Sequence, residues 1–140
     1  MRAMVIDPWN ELEDVRPSSM TETEYTGKCL KRMRQFARHS DVHMFLVAHP
    51  TKLYRNKDGQ YPVPTLYDCS GSANFRNKPD NGIVVWRDLN DTTKPVDVHV
   101  QKIRDRAIGE VGGMPFLYNK VLADYEEMSG PVRDQWSPPA

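Results

Sequence analysis

Residues 42–50 read VHMFLVAHP, and this stretch decides the fold. Residues 42–48 are apolar on both faces of an extended chain, a pattern typical of a central strand in a parallel sheet. A shorter apolar run, residues 3–6, ends at Asp7 and predicts a second buried strand whose carboxyl end presents a carboxylate. Two strands of this kind predict the core of a parallel sheet.

A helix is predicted between these two strands. Thr21 and Glu24 form a capping box, and the apolar spacing that follows predicts a helix to about His39 with a basic opposite face. The apolar positions at helical spacing are Tyr25, Cys29, Met33, Phe36 and Ala37. Strand, helix and strand together predict a βαβ unit and an α/β fold.

The remainder of the chain predicts a loop, a short helix, further strands and a tail. Valines alternate with polar residues at 96–101, the period of a half-exposed strand. The other expected elements are an exposed, mobile loop at 51–65, a helix from Ser70 to about Lys78, a buried strand Ile83–Trp86, a strand pair around 116–118 and 121–123, and a flexible tail at 129–140. A chain of 140 residues is expected to form one domain, here residues 1–128.

Composition excludes several classes of protein. The formal net charge is zero, which disfavours a general polyanion binder, although basic residues concentrate between residues 28 and 57. That stretch is either a nucleic-acid surface or a solvated helix face. The two cysteines form no C-x-x-C pair, which favours a reducing compartment. No apolar run is long enough to span a bilayer and no signal peptide begins the chain, so we expect a cytoplasmic protein without membrane contact.

Two polar residues mark the ends of the predicted parallel strands, Asp7 and His49. Ligands of open α/β sheets bind beyond the carboxyl ends of the strands. An aspartate at such a strand end is how P-loop nucleoside triphosphatases hold Mg²⁺, because this cation prefers oxygen ligands. A loop cap at Asp7 and a backbone-satisfied turn histidine at His49 remain alternative interpretations.

Two metal-site interpretations receive little support. His39, His43 and Cys69 match no common zinc spacing, and His43 is expected to point into the sheet. The acidic residues Glu11, Glu13 and Asp14 suggest a two-metal nuclease, but they cluster in one loop.

The run RDRAIGEVGG, residues 104–113, carries a possible phosphate site. Arg104 and Arg106 occupy alternate positions at the end of a predicted strand, and the glycines after them permit a tight turn. A planar guanidinium binds phosphate bidentately, which lysine does not. The alternative is a surface salt bridge with Asp105 or Glu110.

Four segments together resemble one protein family. They are VIDPWN at 5–10, VAHP at 47–50, SGSANFRNKPDNG at 70–82, and RDRAIGEVGG. In this order and spacing the chain resembles the DnaB-like hexameric replicative helicases, most closely the phage primase-helicases and Twinkle-like helicases, over roughly residues 3 to 120. The resemblance implies a RecA-like P-loop NTPase core: a mainly parallel sheet with helices on both faces and C-terminal β-hairpins.

The resemblance also implies roles for individual residues. Asp7 matches the Walker B aspartate, which holds Mg²⁺ through water, and His49 matches the residue that senses the γ-phosphate of ATP. The loop after His49, with Lys52, Arg55 and Lys57, matches the segment that meets single-stranded DNA.

The arginine run matches the part of the family that acts on a neighbouring subunit. Arg106, three residues before Gly109, matches the arginine finger, and Arg104 matches the basic residue before it. Lys102 leaves a two-residue ambiguity in this register and is a further candidate for nucleotide binding. The implied partners are ATP or another NTP, Mg²⁺, single-stranded DNA and neighbouring subunits of a homo-hexamer, in a bacterial or phage-infected cell.

The chain departs from the family in one large respect. It contains no G-x-x-x-x-G-K-[ST] phosphate loop and no strand with the glutamate that activates water. In the family, the strand before that loop lies between the His49 strand and the strand at 83–86. We therefore expect the C-terminal half of a helicase motor domain, inactive alone. The alternatives are a non-enzymatic protein that binds single-stranded DNA or a helicase ring, and a prophage remnant.

Overall fold

The computed structural model describes residues 2–12, 15–69, 73–91 and 93–129. The strands form a parallel pair, β1 and β2, and a four-stranded antiparallel sheet in the order β3-β4-β5-β6. The chain divides into two compact units: residues 1–51 with 66–79, and residues 52–65 with 80–140. The elements are β1 (Arg2–Ile6), a 3-10 turn (Trp9–Glu11), α1 (Glu22–His39), β2 (Val42–Leu46), α2 (Asn74–Asn77), β3 (Asn81–Trp86), β4 (Val96–Ile103), β5 (Gly112–Asn119) and β6 (Asp124–Glu127). The prediction of an α/β protein is confirmed, with the parallel part limited to one strand pair.

The first unit contains the predicted βαβ arrangement. β1 and β2 are parallel and in register from Arg2 opposite Val42 to Ile6 opposite Leu46. α1 begins at the predicted capping box: the Glu24 N–H donates to the Thr21 hydroxyl at 3.2 Å, and the Thr21 N–H donates to the Glu24 carboxylate at 2.9 Å. α1 packs on β2, and side chains of α1, β1 and β2 line one apolar cleft. The predicted start and end of this helix are confirmed.

The opposite face of the parallel pair is uncovered. Val5 is 64% exposed and its cross-strand partner Phe45 is 50% exposed. The His43 ring packs against Phe45 at 4.6 Å between centroids. The expectation that His43 points into the sheet interior is therefore wrong, because the described residues supply no second layer on this side.

The second unit contains the antiparallel sheet, an arrangement in which each strand returns beside its predecessor. Burial alternates along β3: Val84 and Trp86 are buried, whereas Ile83 and Val85 are 56% and 67% exposed. The predicted strand at 83–86 is confirmed, but only one of its faces is buried.

The inner face of this sheet is more polar than the sequence predicts. Within β4, Asp97 and His99 are each 1% exposed and Gln101 is also buried. The half-exposed strand is confirmed, but its polar residues face inward, opposite Val84 and Trp86 of β3. Hydropathy alone would have placed the valines there.

The loop at 51–65 is only partly exposed. Val63 is buried, and the Gln101 amide donates to the Pro64 carbonyl at 2.8 Å. The expectation of an exposed loop holds for residues 54–58 and is wrong for Val63, because the segment that contains it bonds to β4.

Two other boundaries differ from the prediction. Residues 121–123 form a turn instead of a strand, because the Asn119 side chain accepts the N–H groups of Val121 and Leu122 at 2.9 and 3.2 Å. β6 begins after that turn, at Asp124.

α2 is shorter than expected, and residues 70–72 and 130–140, which include most of the predicted tail, lie outside the described residues. In the described ranges, no helix is long and apolar enough to cross a membrane.

The buried His99 predicts a pH dependence. Burial lowers the pKa of His99, and the negative charge of Asp97 opposes this by a smaller amount. As pH falls, the unfolded chain therefore binds a proton at this histidine at a higher pH than the folded chain does. The stability that depends on a neutral His99 is present above the ordinary histidine pKa of 6.5 and is lost as pH falls below that value. We expect the urea midpoint to fall more steeply in the wild type than in His99→Gln, between about pH 7.5 and 5.5.

The control for this prediction is His39→Gln, which changes an exposed histidine at the end of α1. It should keep the wild-type pH dependence. Equal pH dependence in His99→Gln and the wild type would contradict the assignment.

Candidate functional site

The carboxyl ends of β1 and β2 bring Asp7 and His49 to one edge. Backbone pairing continues past the strands: the Val47 N–H donates to the Ile6 carbonyl at 2.9 Å, and the Trp9 N–H donates to the Val47 carbonyl at 2.7 Å. Asp7 therefore lies between two residues that bond to Val47, and His49 follows Val47 by two positions. Both side chains belong to exposed residues, as a ligand edge requires.

The chain leaving His49 is anchored at once. The Thr51 N–H and hydroxyl both donate to the Asp68 carbonyl, at 2.6 and 2.9 Å, and Pro50 forms a backbone bridge with Cys69. These contacts tie the VAHP segment to the residues that precede the SGSANF segment. Burial and the neighbouring Asp68 charge raise the pKa of the Cys69 thiol, so it stays protonated and is a poor metal ligand or nucleophile.

An aromatic contact supports the turn after Asp7. The buried Phe75 of α2 meets the Trp9 ring edge-on, with centroids 5.8 Å apart and an interplanar angle of 80°. α2 is held in turn to α1, because the Asn74 amide donates to the Thr23 carbonyl at 2.9 Å. Trp9 and Phe75 are supporting residues that the sequence analysis missed. A sequence signal for them existed: the segments VIDPWN and SGSANFRNKPDNG each contain one aromatic residue.

This edge offers only part of the set of ligands that a metal ion needs. Within the part of the chain that the structure describes, no three His, Cys, Asp or Glu side chains form a group that could hold a metal ion. Mg²⁺ is usually bound through one or two carboxylates together with waters and substrate phosphates, so Asp7 alone suits such a partial shell. Of the acidic loop, Glu11 is exposed, and Glu13 and Asp14 lie outside the described residues.

The arginine run lies in the second unit, and its geometry differs from the expectation. β4 ends at Ile103, so Arg104 and Arg106 do not share a strand face. The Arg104 guanidinium lies 2.7 Å from the Asp80 carboxylate, and the Arg104 N–H donates to the Asp80 carbonyl at 2.8 Å. The salt-bridge partner is therefore Asp80, at the start of β3, and neither Asp105 nor Glu110 is the partner in this ion pair. Both partners are about half exposed, so this ion pair contributes little to stability.

Asp105 shapes the turn that presents Arg106. Its carboxylate accepts the Ala107 N–H at 3.0 Å, and its carbonyl accepts the Ile108 N–H at 3.3 Å. Gly109 closes the turn beside Ile103, where an added Cβ would lie 2.9 Å from the isoleucine Cδ1. Arg106 is exposed at this turn, and Lys102 is half-buried within β4.

The basic loop after Thr51 is closed by its own hydrogen bonds. Asn56 is the centre: its side-chain oxygen accepts the Asp58 and Gln60 N–H groups at 3.0 and 2.9 Å, and its N–H donates to the Gln60 carbonyl at 2.8 Å. Gly59 takes a φ of +74°, which favours glycine. Lys52, Arg55 and Lys57 are all exposed on this loop.

Comparison with known proteins shows a similarity that covers most of the chain. No protein-family model matches the chain. The chain is 38% identical over 130 residues to the Twinkle homolog protein, chloroplastic/mitochondrial, of Arabidopsis thaliana. The similarity covers 91% of this chain but only 18% of that relative, so the chain spans about a fifth of the length of the curated relative it matches.

The contact between α1 and α2 makes a prediction for stability. A Cβ on Gly27 would lie 2.9 Å from the Asn74 amide nitrogen, so Gly27→Ala should displace the amide that donates to Thr23. We expect Asn74→Ala to lower the free energy of unfolding by about 1 kcal/mol. Gly27→Ala alone should be close to neutral, because alanine favours the helix by about 1 kcal/mol over glycine and this offsets the lost hydrogen bond. In the Asn74→Ala background, where that bond is already absent, Gly27→Ala should stabilise the fold by about 1 kcal/mol.

Urea denaturation of the wild type, the two single variants and the double variant measures this coupling. Additive effects of the two substitutions would contradict the contact.

Proposed function

We propose that this chain is a segment of the motor domain of a Twinkle-like, DnaB-type replicative helicase, with a RecA-like core that couples ATP hydrolysis to DNA unwinding. The observation that carries the proposal is the shared edge of Asp7 and His49 on a parallel strand pair. The similarity to the Arabidopsis relative supports the family, and the resemblance of the four segments supports the roles.

Asp7 and His49 would serve the nucleotide. In this proposal, Asp7 orients Mg²⁺ through a water molecule, and the ion neutralises charge on the ATP phosphates when bound. His49 contacts the γ-phosphate and reports its presence to the following loop. The Thr51 bonds to Asp68 support this proposal, because they anchor the chain two residues after His49.

Arg106 would act on a neighbouring subunit. An exposed guanidinium on a short, internally bonded turn is suited to reach a phosphate outside its own chain. Arg104 supports it by anchoring the start of the turn to Asp80. Lys102 is the alternative nucleotide contact in the register left open by the sequence, and its half-burial within β4 makes it less accessible than Arg106.

The uncovered faces support the proposal that further elements complete this fold. Strands of parallel sheets are normally covered on both faces, whereas Val5 and Phe45 are open here. Likewise Ile83 and Val85 leave one side of β3 exposed. We propose that a strand carrying the phosphate loop pairs with β2, with further helices over these faces. Without it the chain has no cradle for phosphates and no base for water.

The proposed partners follow from the family. They are single-stranded DNA, ATP or another NTP with Mg²⁺, and copies of the same subunit in a homo-hexamer. The bacterial or phage origin remains a prediction; the plant relative is described as chloroplastic/mitochondrial, which is a statement about that protein.

A chimera tests the motor function. The matched segment of the Arabidopsis relative is replaced by this chain, and ATP hydrolysis is measured with and without single-stranded DNA. We expect DNA-stimulated hydrolysis in the chimera, and a loss of at least about a hundredfold in Asp7→Ala and Arg106→Ala, because each removes charge stabilisation at the phosphates. The 140-residue chain alone should show no turnover.

Mixing the two inactive chimeras separates their roles. If Arg106 acts in trans, some interfaces in mixed rings combine an intact Asp7 with an intact Arg106, and activity partly returns. Full activity of the Asp7→Ala chimera, or hydrolysis by the isolated chain that Asp7→Ala abolishes, would refute the proposal.

A second candidate function is non-enzymatic binding of single-stranded DNA, or of a helicase ring. The closed loop with its exposed basic residues favours binding of single-stranded DNA, because that function needs no nucleotide site. Each phosphate contact contributes about 0.7 to the slope of log K against log salt for single strands. We expect the variant Lys52→Gln, Arg55→Gln, Lys57→Gln to reduce that slope by about 2.

The matched control changes three basic residues of α1, namely Lys28→Gln, Lys31→Gln and Arg38→Gln. In the motor interpretation this control binds DNA like the wild type. A larger loss in the helix variant than in the loop variant would contradict the assignment of DNA binding to the loop.

A further inference from the structure

We infer that Tyr54 is a stacking platform for a base of single-stranded nucleic acid, a contact distinct from the phosphate contacts of the basic loop. The inference rests on the proposed function of that loop, and it assigns a second ligand group, the base, to the same segment.

Tyr54 is an aromatic side chain in an unusual position. It is 79% exposed, although a tyrosine normally gains by burying its ring. Its sequence neighbours include Arg55, Lys52 and Lys57, all exposed. An exposed ring in a segment that also carries three exposed cationic residues matches a strand of nucleic acid, which offers both phosphates and flat bases.

The second tyrosine of the loop has a different role. The Arg55 guanidinium lies over the Tyr61 ring, 4.9 Å from its centroid, and donates one hydrogen bond to the Gly59 carbonyl at 3.1 Å. Arg55 therefore closes the loop and still has donors to offer a phosphate, since a guanidinium carries five N–H groups. Tyr61 is half-buried under it, which leaves Tyr54 as the exposed ring.

The closed loop makes the placement of Tyr54 effective. The hydrogen bonds of Asn56 restrain residues 56–60, so Tyr54 and Arg55 directly precede a restrained turn. Tyr54 and Arg55 are consecutive residues, and the inference assigns a base to the first and a phosphate to the second. Stacking of this kind tolerates any base, so it suits a protein that moves along DNA without reading sequence.

The test uses the 140-residue chain and two probes of equal length: an oligothymidylate and an abasic deoxyribose-phosphate strand. Binding is measured by fluorescence anisotropy over a range of salt concentrations. We expect Tyr54→Ala to weaken binding of the oligothymidylate about tenfold, the size of one base–aromatic stack, and to leave binding of the abasic strand unchanged. The salt slope should also be unchanged, because no phosphate contact is lost.

Two further variants make the result specific. Tyr54→Phe keeps the ring and should bind like the wild type. Tyr67→Ala removes another exposed tyrosine, beside the acidic Asp68, and should also bind like the wild type. Circular dichroism checks that each variant is folded.

The outcomes separate this inference from the proposed function. If Tyr54→Ala binds the oligothymidylate as tightly as the wild type, or loses equal affinity for both probes, stacking is overturned while a charge-based DNA loop stands. If the wild type binds neither probe, the DNA-binding role of the loop fails together with the inference.

Discussion

The parallel pairing of β1 with β2 is the constraint on which the rest of the first unit depends. Parallel strands cannot be joined by a tight turn, so the chain must return along the sheet, and α1 provides that return. The capping box at Thr21 and Glu24 sets where the helix begins. Since both strands then run the same way, Asp7 and His49 reach one edge, and the bonds of Val47 to Ile6 and Trp9 extend the pairing to them. An antiparallel pair would have separated these two residues by the length of a strand.

The candidate chemistry is divided between two scaffolds. The first unit holds the strand-end edge, and the second holds the arginine turn and the basic loop. The division falls directly after Thr51, whose double bond to Asp68 fixes the last residue before the loop begins. His49 is thus three positions from Lys52, an exposed residue of the loop.

The sequence predicted the elements whose signals are local. The capping box and apolar spacing defined α1, and the apolar runs defined β1 and β2, because these depend on neighbours within a few residues. Side-chain direction in β4 could not be predicted this way: the valines have the hydropathy of an inner face, yet Asp97 and His99 face inward beside Val84 and Trp86. The Arg104–Asp80 ion pair joins the start of β3 to the residue after β4, a pairing set by strand register that no local pattern records. The strand predicted at 121–123 is wrong because Asn119 directs a turn there through its side chain, an effect that hydropathy does not record.

The basic loop shows why composition alone misjudges how well ordered a segment is. Lysine, glycine and proline between residues 51 and 65 predict a mobile loop, but Asn56, Arg55 and the buried Val63 restrain it at several points. A restrained loop loses less conformational entropy when it binds, so the same contacts yield higher affinity. Arg55 and Tyr61 contact each other within the loop. Lys52, Tyr54 and Lys57 are exposed to solvent.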